Sequence, residues 1–166
     1  MTDMPIGIRI SSIIFLFLIL FSFSSTAAFS FSEEDILCLT EAVYFEARSE
    51  PLTGQVAVAT VIINRVNSKK DFEKTICEIV HYKVQIRGST KRYRCAFSYH
   101  CDLRQRNKMT DPVALRETTT AVTLALQGLI VRGTENIMFY HAKGSRPPWA
   151  IDKTVVTKIG NHIFYN

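Results

Sequence analysis

The sequence lacks the short motifs that identify several enzyme classes. It contains no H-E-x-x-H, and no two of its four histidines stand three to five residues apart, so a zinc site has little support. It also contains no G-x-S-x-G, which argues against a serine hydrolase, and no glycine-rich loop for binding phosphate. After residue 28 there is no internal repeat, linker or low-complexity tract. We therefore expect one domain without a metal site.

The first 28 residues predict a targeting segment rather than part of the fold. Arg9 supplies a positive charge, residues 10–23 form an apolar run interrupted only by serines, and Thr26-Ala27-Ala28 offers small residues for signal peptidase. The run is shorter than the roughly 20 residues of a membrane-spanning helix. We predict a cleaved signal peptide over residues 1–28, with an uncleaved anchor in the inner membrane as the alternative. In either case residues 29–166 are exported.

The chain is basic, with 20 lysines and arginines against 15 acidic residues and a net charge of +5. A basic surface favours an anionic partner such as a cell-wall polymer, lipid headgroups or nucleic acid. Export argues against nucleic acid, so we expect no nucleic-acid partner, and contact with a membrane only through the N-terminal segment if it is not cleaved.

All four cysteines follow residue 28. An even number of cysteines in an oxidising compartment suggests disulfides, with three possible connectivities. The short loop between Cys95 and Cys101 makes that bridge plausible, with Cys38 and Cys77 as the complementary pair. Buried free thiols are the alternative, because Cys38 and Cys77 both fall in apolar helical patterns.

The remaining pattern predicts helices first and short strands later, which is an α+β domain. Helices are predicted over residues 33–48 with Ser32 as N-cap, over residues 51–66 with Ser49 as N-cap, over residues 72–81, and from Asp111-Pro112 to about residue 128. A strand is predicted over residues 136–141, a rigid bend at Pro147-Pro148-Trp149, and a hairpin over residues 154–165 around Gly160-Asn161.

Residues 82–110 are strongly basic and contain one acid, Asp102. We expect irregular structure there, in which residues 95–101 alternate like a short strand or compact loop. Such loops commonly supply substrate contacts.

Glu46 is the unusual acid of the first helix. That helix is apolar nearly all round, which is typical of a buried helix, and Glu46 projects between Leu39 and Ala42. A carboxyl group among apolar neighbours prefers its neutral form, so its pKa rises and it can protonate a glycosidic oxygen. The alternative is a structural glutamate paired with Arg48 or Arg65.

Glu50 lies four residues after Glu46 and directly before Pro51. It could assist Glu46, hold a sugar hydroxyl or cap the second helix. Several aromatic side chains are candidates for stacking on sugar rings, and Trp149 is the best of them because it follows two prolines in a loop. The others are Phe97, Tyr99, Phe139 and Tyr140.

The residues around Glu46 resemble the cell wall hydrolase family that includes the spore cortex-lytic enzymes. The resemblance covers roughly residues 36–166, and separate blocks agree in the right order. The blocks are Tyr44-Phe45-Glu46-Ala47-Arg48-Ser49-Glu50-Pro51, Gly54-Gln55-Val56-Ala57-Val58-Ala59, Asn64-Arg65-Val66, Cys95-Ala96-Phe97-Ser98-Tyr99-His100-Cys101-Asp102, Phe139-Tyr140-His141-Ala142, Pro148-Trp149-Ala150 and Ile159-Gly160-Asn161-His162-Ile163-Phe164-Tyr165.

The resemblance implies a small lysozyme-like α+β catalytic domain over residues 29–166 that cleaves the glycan strand of peptidoglycan. It implies lytic transglycosylation by Glu46 as general acid and base, without a cofactor and as a monomer. Substrate contacts are expected from Glu50, Phe97, Ser98, Tyr140, His141 and Trp149. The cysteines resemble those of Gram-negative relatives, which implies a periplasmic or other extracytoplasmic location.

Two other functions stay open beside this one. Some members of the family are labelled N-acetylmuramoyl-L-alanine amidases, which would need a metal and release peptides. A non-catalytic wall-binding protein could also keep the fold. The sequence departs from the family at Ser49, where glycine is usual, at Ala96, where glutamine is common, and over residues 84–93, which are longer and more basic than expected.

Overall fold

The described chain begins with three helices and ends in a small antiparallel sheet, with a short hairpin and a further long helix between them. The computed structural model describes residues 31–68, 75–88, 93–102 and 108–166, so the predicted targeting segment lies outside the described residues. Residues 31–166 form one compact unit with its own core. None of the helices in the described ranges is both long and apolar enough to cross a membrane.

Helix α1 (Glu33–Ala47) begins where the sequence predicts. The Ser32 hydroxyl accepts a hydrogen bond from the Asp35 N–H at 3.1 Å, which caps the helix. Seven of its residues are buried, among them Leu39 and Val43 in the core. The prediction of a buried first helix is therefore confirmed.

Helix α2 (Leu52–Asn67) is the central helix and packs against α1. Every residue from position 54 to position 62 is buried. The predicted N-cap at Ser49 is wrong, because the N-cap position belongs to Pro51 and no side chain caps this end. A residue before a proline avoids helical backbone, so Glu50 cannot begin the helix and it starts only after Pro51.

Helix α3 (Ile76–Val80) is held to α1 by the Cys38–Cys77 disulfide. A capping box between Thr75 and Glu78 sets its start. The sequence predicts this helix from residue 72, and residues 72–74 lie outside the described ranges.

The basic segment contains regular structure where it is described. Strands β1 (Lys83–Gln85) and β2 (Tyr93–Cys95) pair antiparallel, and the short helix α4 (Ser98–Cys101) follows. Of the short strand or compact loop predicted over residues 95–101, the strand is wrong, because residues 98–101 form the helix α4. Six residues of strand would separate two Cα atoms by about 20 Å, whereas the Cys95–Cys101 disulfide brings its two Cα atoms to 5.8 Å, which an extended strand cannot satisfy.

Helix α5 (Pro112–Leu126) confirms the predicted cap. The Asp111 carboxylate accepts hydrogen bonds from the N–H groups of Val113 and Ala114, and Pro112 occupies the first turn. The Asp111 N–H in turn donates to the Tyr44 hydroxyl at 3.1 Å. This bond fixes the start of α5 against α1.

The C-terminal part forms a three-stranded antiparallel sheet. Its strands are β3 (Phe139–Ala142), β4 (Val155–Ile159) and β5 (His162–Tyr165), in the order β3-β5-β4. The predicted hairpin around Gly160-Asn161 is confirmed, and Trp149 lies on a 3₁₀ helix (Pro148–Asp152) at the predicted bend. With its helices first and its small sheet last, the domain belongs to the predicted α+β class.

Glu50 fixes the junction between α1 and α2 to the β4–β5 turn. Its carboxylate accepts a hydrogen bond from the Asn161 N–H at 2.7 Å and lies 3.8 Å from the His162 ring. Its backbone carbonyl accepts a hydrogen bond from the Gln55 amide. Gly160 has a positive φ of 54°, and a Cβ atom there would collide with Glu50 Oε2.

This close approach predicts a specific cost for Gly160→Ala. A left-handed backbone costs a residue with Cβ about 1–2 kcal/mol, and the collision with Glu50 adds to it. Gly133→Ala is the matched control, because Gly133 has a φ of 83° but nothing within 4 Å of its Cβ position. We expect urea denaturation to show a clearly larger loss for Gly160→Ala, and equal losses would contradict the proposed contact.

Candidate active site

A cleft of about 540 Å³ opens between the helices and the sheet. Its walls come from α1, α2, the segment around α4, strands β3 and β5, and the 3₁₀ helix. The lining residues are Phe45, Glu46, Arg65, Ala96, Phe97, Ser98, Tyr99, Phe139, Tyr140, His141, Ala142, Trp149 and His162.

Glu46 contributes the only carboxyl group among the described residues that line the cleft. It lies in the last turn of α1 and is half-buried. Burial raises the pKa of Glu46 above its ordinary value, and a hydrogen bond from the Tyr140 hydroxyl to Oε2 at 3.3 Å opposes that rise. Burial outweighs the hydrogen bond, so the neutral acid persists to higher pH than in an exposed glutamate.

Tyr140 is held in place for this contact by the sheet. Its ring meets the edge of the His162 ring at 5.2 Å and lies 5.9 Å from the Phe164 ring. Burial, followed by the nearby charge of Glu46, raises the pKa of Tyr140 well above its ordinary value. The phenol therefore stays protonated and remains a hydrogen-bond donor toward Glu46.

Arg65 also lines the cleft, whereas the residue pattern indicates it only as a structural partner for Glu46. Its Nε donates to the Met138 carbonyl at 2.8 Å, while the neighbouring Asn64 amide donates to the Ile137 carbonyl at 2.9 Å. Together they attach the end of α2 to the start of β3. The sequence signal for this role of Asn64 and Arg65 is the Asn64-Arg65-Val66 block of the family resemblance. Burial lowers the pKa of Arg65, although the nearby Tyr140 opposes the shift.

One wall of the cleft is built by the loop that the Cys95–Cys101 disulfide closes. Tyr99 stacks on Phe45 with ring centroids 4.5 Å apart, and Ser98 is exposed toward the cleft. Phe97 is only 2% exposed and belongs to the core. Phe97 lines the cleft, but its ring offers little exposed surface for stacking on a sugar, and its expected contact with substrate stays a prediction.

Trp149 and His141 form the aromatic end of the cleft. The Trp149 ring meets the rings of His141 and Tyr165 edge-on at 5.8 and 5.7 Å, and it remains 37% exposed. His141 Nδ1 lies 2.8 Å from the Ala142 carbonyl, which can only accept, so Nδ1 carries the hydrogen. His141 Nε2 then accepts from the Tyr165 hydroxyl at 2.7 Å.

Glu50 does not line this cleft, and its expected contact with substrate stays a prediction. It borders a separate cavity with Gln55 and Glu117, and its carboxylate is engaged at the β4–β5 turn. It does not cap α2 with its side chain either. Its connection to the cleft is through His162, whose ring contacts Tyr140. Burial lowers the pKa of His162, so this contact involves a neutral imidazole near neutral pH.

No group of three His, Cys, Asp or Glu side chains in the described ranges is arranged to hold a metal ion. The four cysteines are all in disulfides, in the Cys38–Cys77 and Cys95–Cys101 pairing. The free-thiol alternative therefore does not apply in this structure.

Comparison with known proteins gives matches to cell wall hydrolases and spore cortex-lytic enzymes. The family model described as Cell Wall Hydrolase matches residues 49–165. The spore cortex-lytic enzyme of Bacillus subtilis is 32% identical over 138 residues, which are 81% of this chain and 38% of that protein. The spore cortex-lytic enzyme of Halalkalibacterium halodurans is also 32% identical, over 82% of this chain and 36% of its own length. The chain thus spans less than half the length of these relatives.

Solved structures agree with the sequence matches. The catalytic domain of the Bacillus cereus SleB protein superposes with a TM-score of 0.62 at 32% identity, covering 83% of this chain and 94% of that domain. The catalytic domain of a germination-specific lytic transglycosylase, SleB from Bacillus anthracis, gives a TM-score of 0.61 at 31% identity, covering 82% and 98%. These matches confirm the resemblance inferred from the sequence blocks.

Proposed function

Because the chain belongs to the cell wall hydrolase family, we propose that it cleaves the glycan strand of peptidoglycan as a lytic transglycosylase. The bond would be the one between N-acetylmuramic acid and N-acetylglucosamine. The observation that carries the proposal is Glu46, a half-buried carboxyl group whose pKa is raised and which faces the cleft without a second carboxylate among the described lining residues.

A single carboxyl group suits transglycosylation better than ordinary hydrolysis. Most glycosidases use two carboxyl groups, about 5–5.5 Å apart in retaining enzymes and about 6.5–9.5 Å apart in inverting ones. The second group serves as a nucleophile or activates water. When a hydroxyl of the substrate itself is the nucleophile, one group can act first as acid and then as base.

The proposed steps return Glu46 to its starting state. Neutral Glu46 donates its proton to the glycosidic oxygen, and the bond from that oxygen to C1 of muramic acid breaks. The carboxylate then takes the proton of the muramic C6 hydroxyl, whose oxygen bonds to C1 and closes the 1,6-anhydro ring. No water is consumed, and Glu46 ends protonated.

The other residues of the cleft would position the glycan and tune the acid. The Tyr140 hydroxyl stabilises the carboxylate that forms after the first proton transfer. The exposed part of Trp149 offers a surface for a sugar ring, with His141 beside it, and Ser98 offers a hydroxyl from the disulfide-closed loop. One structural neighbour is described as a lytic transglycosylase, which supports the reaction class. The predicted signal segment supports action outside the cytoplasm.

We expect Glu46→Gln to abolish product formation. Loss of a general acid and base costs at least about a hundredfold in rate. The measurement is digestion of purified peptidoglycan followed by mass spectrometry of the soluble products. The wild-type protein should release anhydromuropeptides and the variant should not. Glu33→Gln, an exposed glutamate in the first turn of the same helix, is the matched control and should keep full activity.

The products also decide between reaction classes. Muropeptides with a reducing end would indicate ordinary hydrolysis and contradict the transglycosylase step. Free stem peptides whose release is abolished by a chelator would indicate an amidase and overturn the proposal. Intact binding without any product from the wild type would indicate a wall-binding protein.

The pH profile of activity should depend on Tyr140. Glu46 must be protonated to act as acid, so kcat/KM should fall as pH rises through its pKa, and that fall should lie above the ordinary value of 4.5. The Tyr140 hydrogen bond favours the carboxylate and lowers this pKa. Tyr140→Phe should therefore shift the fall upward, by up to about one pH unit, while lowering the maximal rate.

A soluble chromogenic or fluorescent glycan assay across pH measures this shift. Tyr93→Phe, an exposed tyrosine that is not among the lining residues, is the control and should leave the profile unchanged. A downward shift in Tyr140→Phe would contradict the assigned role of the hydrogen bond.

A further inference from the structure

The β1–β2 hairpin projects an ordered apolar face that the proposed catalytic reaction does not use. Its strands pair with Val84 opposite Arg94, and the Ala96 N–H donates to the Tyr82 carbonyl at 2.9 Å to extend the ladder. The Cys95–Cys101 disulfide anchors the base of the second strand. We call residues 82–88 and 93–95 the basic hairpin.

One face of the basic hairpin is apolar and exposed. Side chains alternate along a strand, and Tyr82 and Ile86 directly flank strand β1 on either side, so extending the alternation by one residue at each end places them on the face of Val84. They are 48%, 50% and 39% exposed. Arg94 shares that face, because residues directly opposite on paired strands point to the same side. Contiguous exposed apolar side chains with cations beside them mark an interaction site.

The charge of this region is wholly positive. Residues 82–101 contain five of the chain's twenty lysines and arginines and none of its fifteen acidic residues. Their net charge of +5 equals the net charge of the whole chain. Lys83, Arg87 and Arg94 are the described cations among them, and all three are exposed.

We propose that the basic hairpin docks on the surface of an anionic phospholipid bilayer. Exposed aliphatic side chains are stabilised when they enter the boundary between headgroups and acyl chains, and tyrosines favour the level of the headgroups. Lysine and arginine side chains can extend their charged ends to the lipid phosphates. A lipid-free polyanion would make favourable contacts with the cations but not with Val84 and Ile86. The combination of aliphatic, aromatic and cationic side chains on one face therefore favours a bilayer.

Docking there would also orient the cleft. Strand β2 leads through Ala96 to Ser98 and Tyr99, which form one wall of the cleft. A bilayer bound to the hairpin would lie beside this wall. This contact is separate from the N-terminal apolar segment, the only membrane contact expected from the sequence.

The test is vesicle co-sedimentation of residues 29–166, which contain the compact unit and omit the apolar run at residues 10–23. Vesicles of phosphatidylethanolamine with phosphatidylglycerol are compared with vesicles of phosphatidylcholine alone. We expect binding to the anionic vesicles only, weakened about tenfold by Val84→Ser with Ile86→Ser and about fivefold by Arg94→Gln.

Matched substitutions elsewhere separate a local effect from a general one. Val113→Ser and Arg116→Gln replace an exposed valine and an exposed arginine on α5 and should leave vesicle binding unchanged. Thermal unfolding checks that each variant is folded, and peptidoglycan digestion by the hairpin variants should match the wild type.

Two results would overturn the proposal. One is vesicle binding that is absent or equal for the two lipid compositions. The other combines two observations: the valine and isoleucine substitutions leave vesicle binding unchanged, and Arg94→Gln weakens binding equally for vesicles and for heparin, a lipid-free polyanion. The hairpin would then be a site for polyanions rather than for a bilayer.

Discussion

The hydrogen bond from Tyr140 to Glu46 joins the helical half of the domain to its sheet at the floor of the cleft. Glu46 comes from the end of α1 and Tyr140 from β3, so the contact exists only when both halves are packed. Burial raises the pKa of the carboxyl group while this bond restrains the rise. A group that must first donate a proton and then accept one needs a pKa that is raised, but not so far that the carboxylate cannot form.

The positions of both partners depend on contacts further from the cleft. Asn64 and Arg65 bind the carbonyls that lead into β3 and so set the position of Tyr140. On the other side, Glu50 binds the β4–β5 turn through the Asn161 N–H, which places His162 against the Tyr140 ring. The two glutamates of the Glu46-Ala47-Arg48-Ser49-Glu50 block therefore have different tasks, one facing the cleft and one fixing the sheet.

The sequence predicts those features of the fold that depend on residues close together in the chain. The caps at Ser32 and Asp111, the turn at Gly160 and the buried character of α1 follow from nearby residues, and the structure confirms them. The burial of Phe97 and the remote partner of Glu50 depend on contacts distant in sequence, up to 111 residues apart for the Glu50 bond. A single sequence carries no direct sign of such contacts.

The pKa of Glu46 is the quantity on which the proposed chemistry depends most directly. It can be measured by NMR titration of protein with ¹³C-labelled glutamate carboxyl groups, with the Glu46 signal assigned by its loss in Glu46→Gln. The account predicts a titration midpoint above the ordinary value of 4.5. A midpoint at or below that value would mean that Glu46 is ionised throughout the neutral range, and would contradict its role as the proton donor.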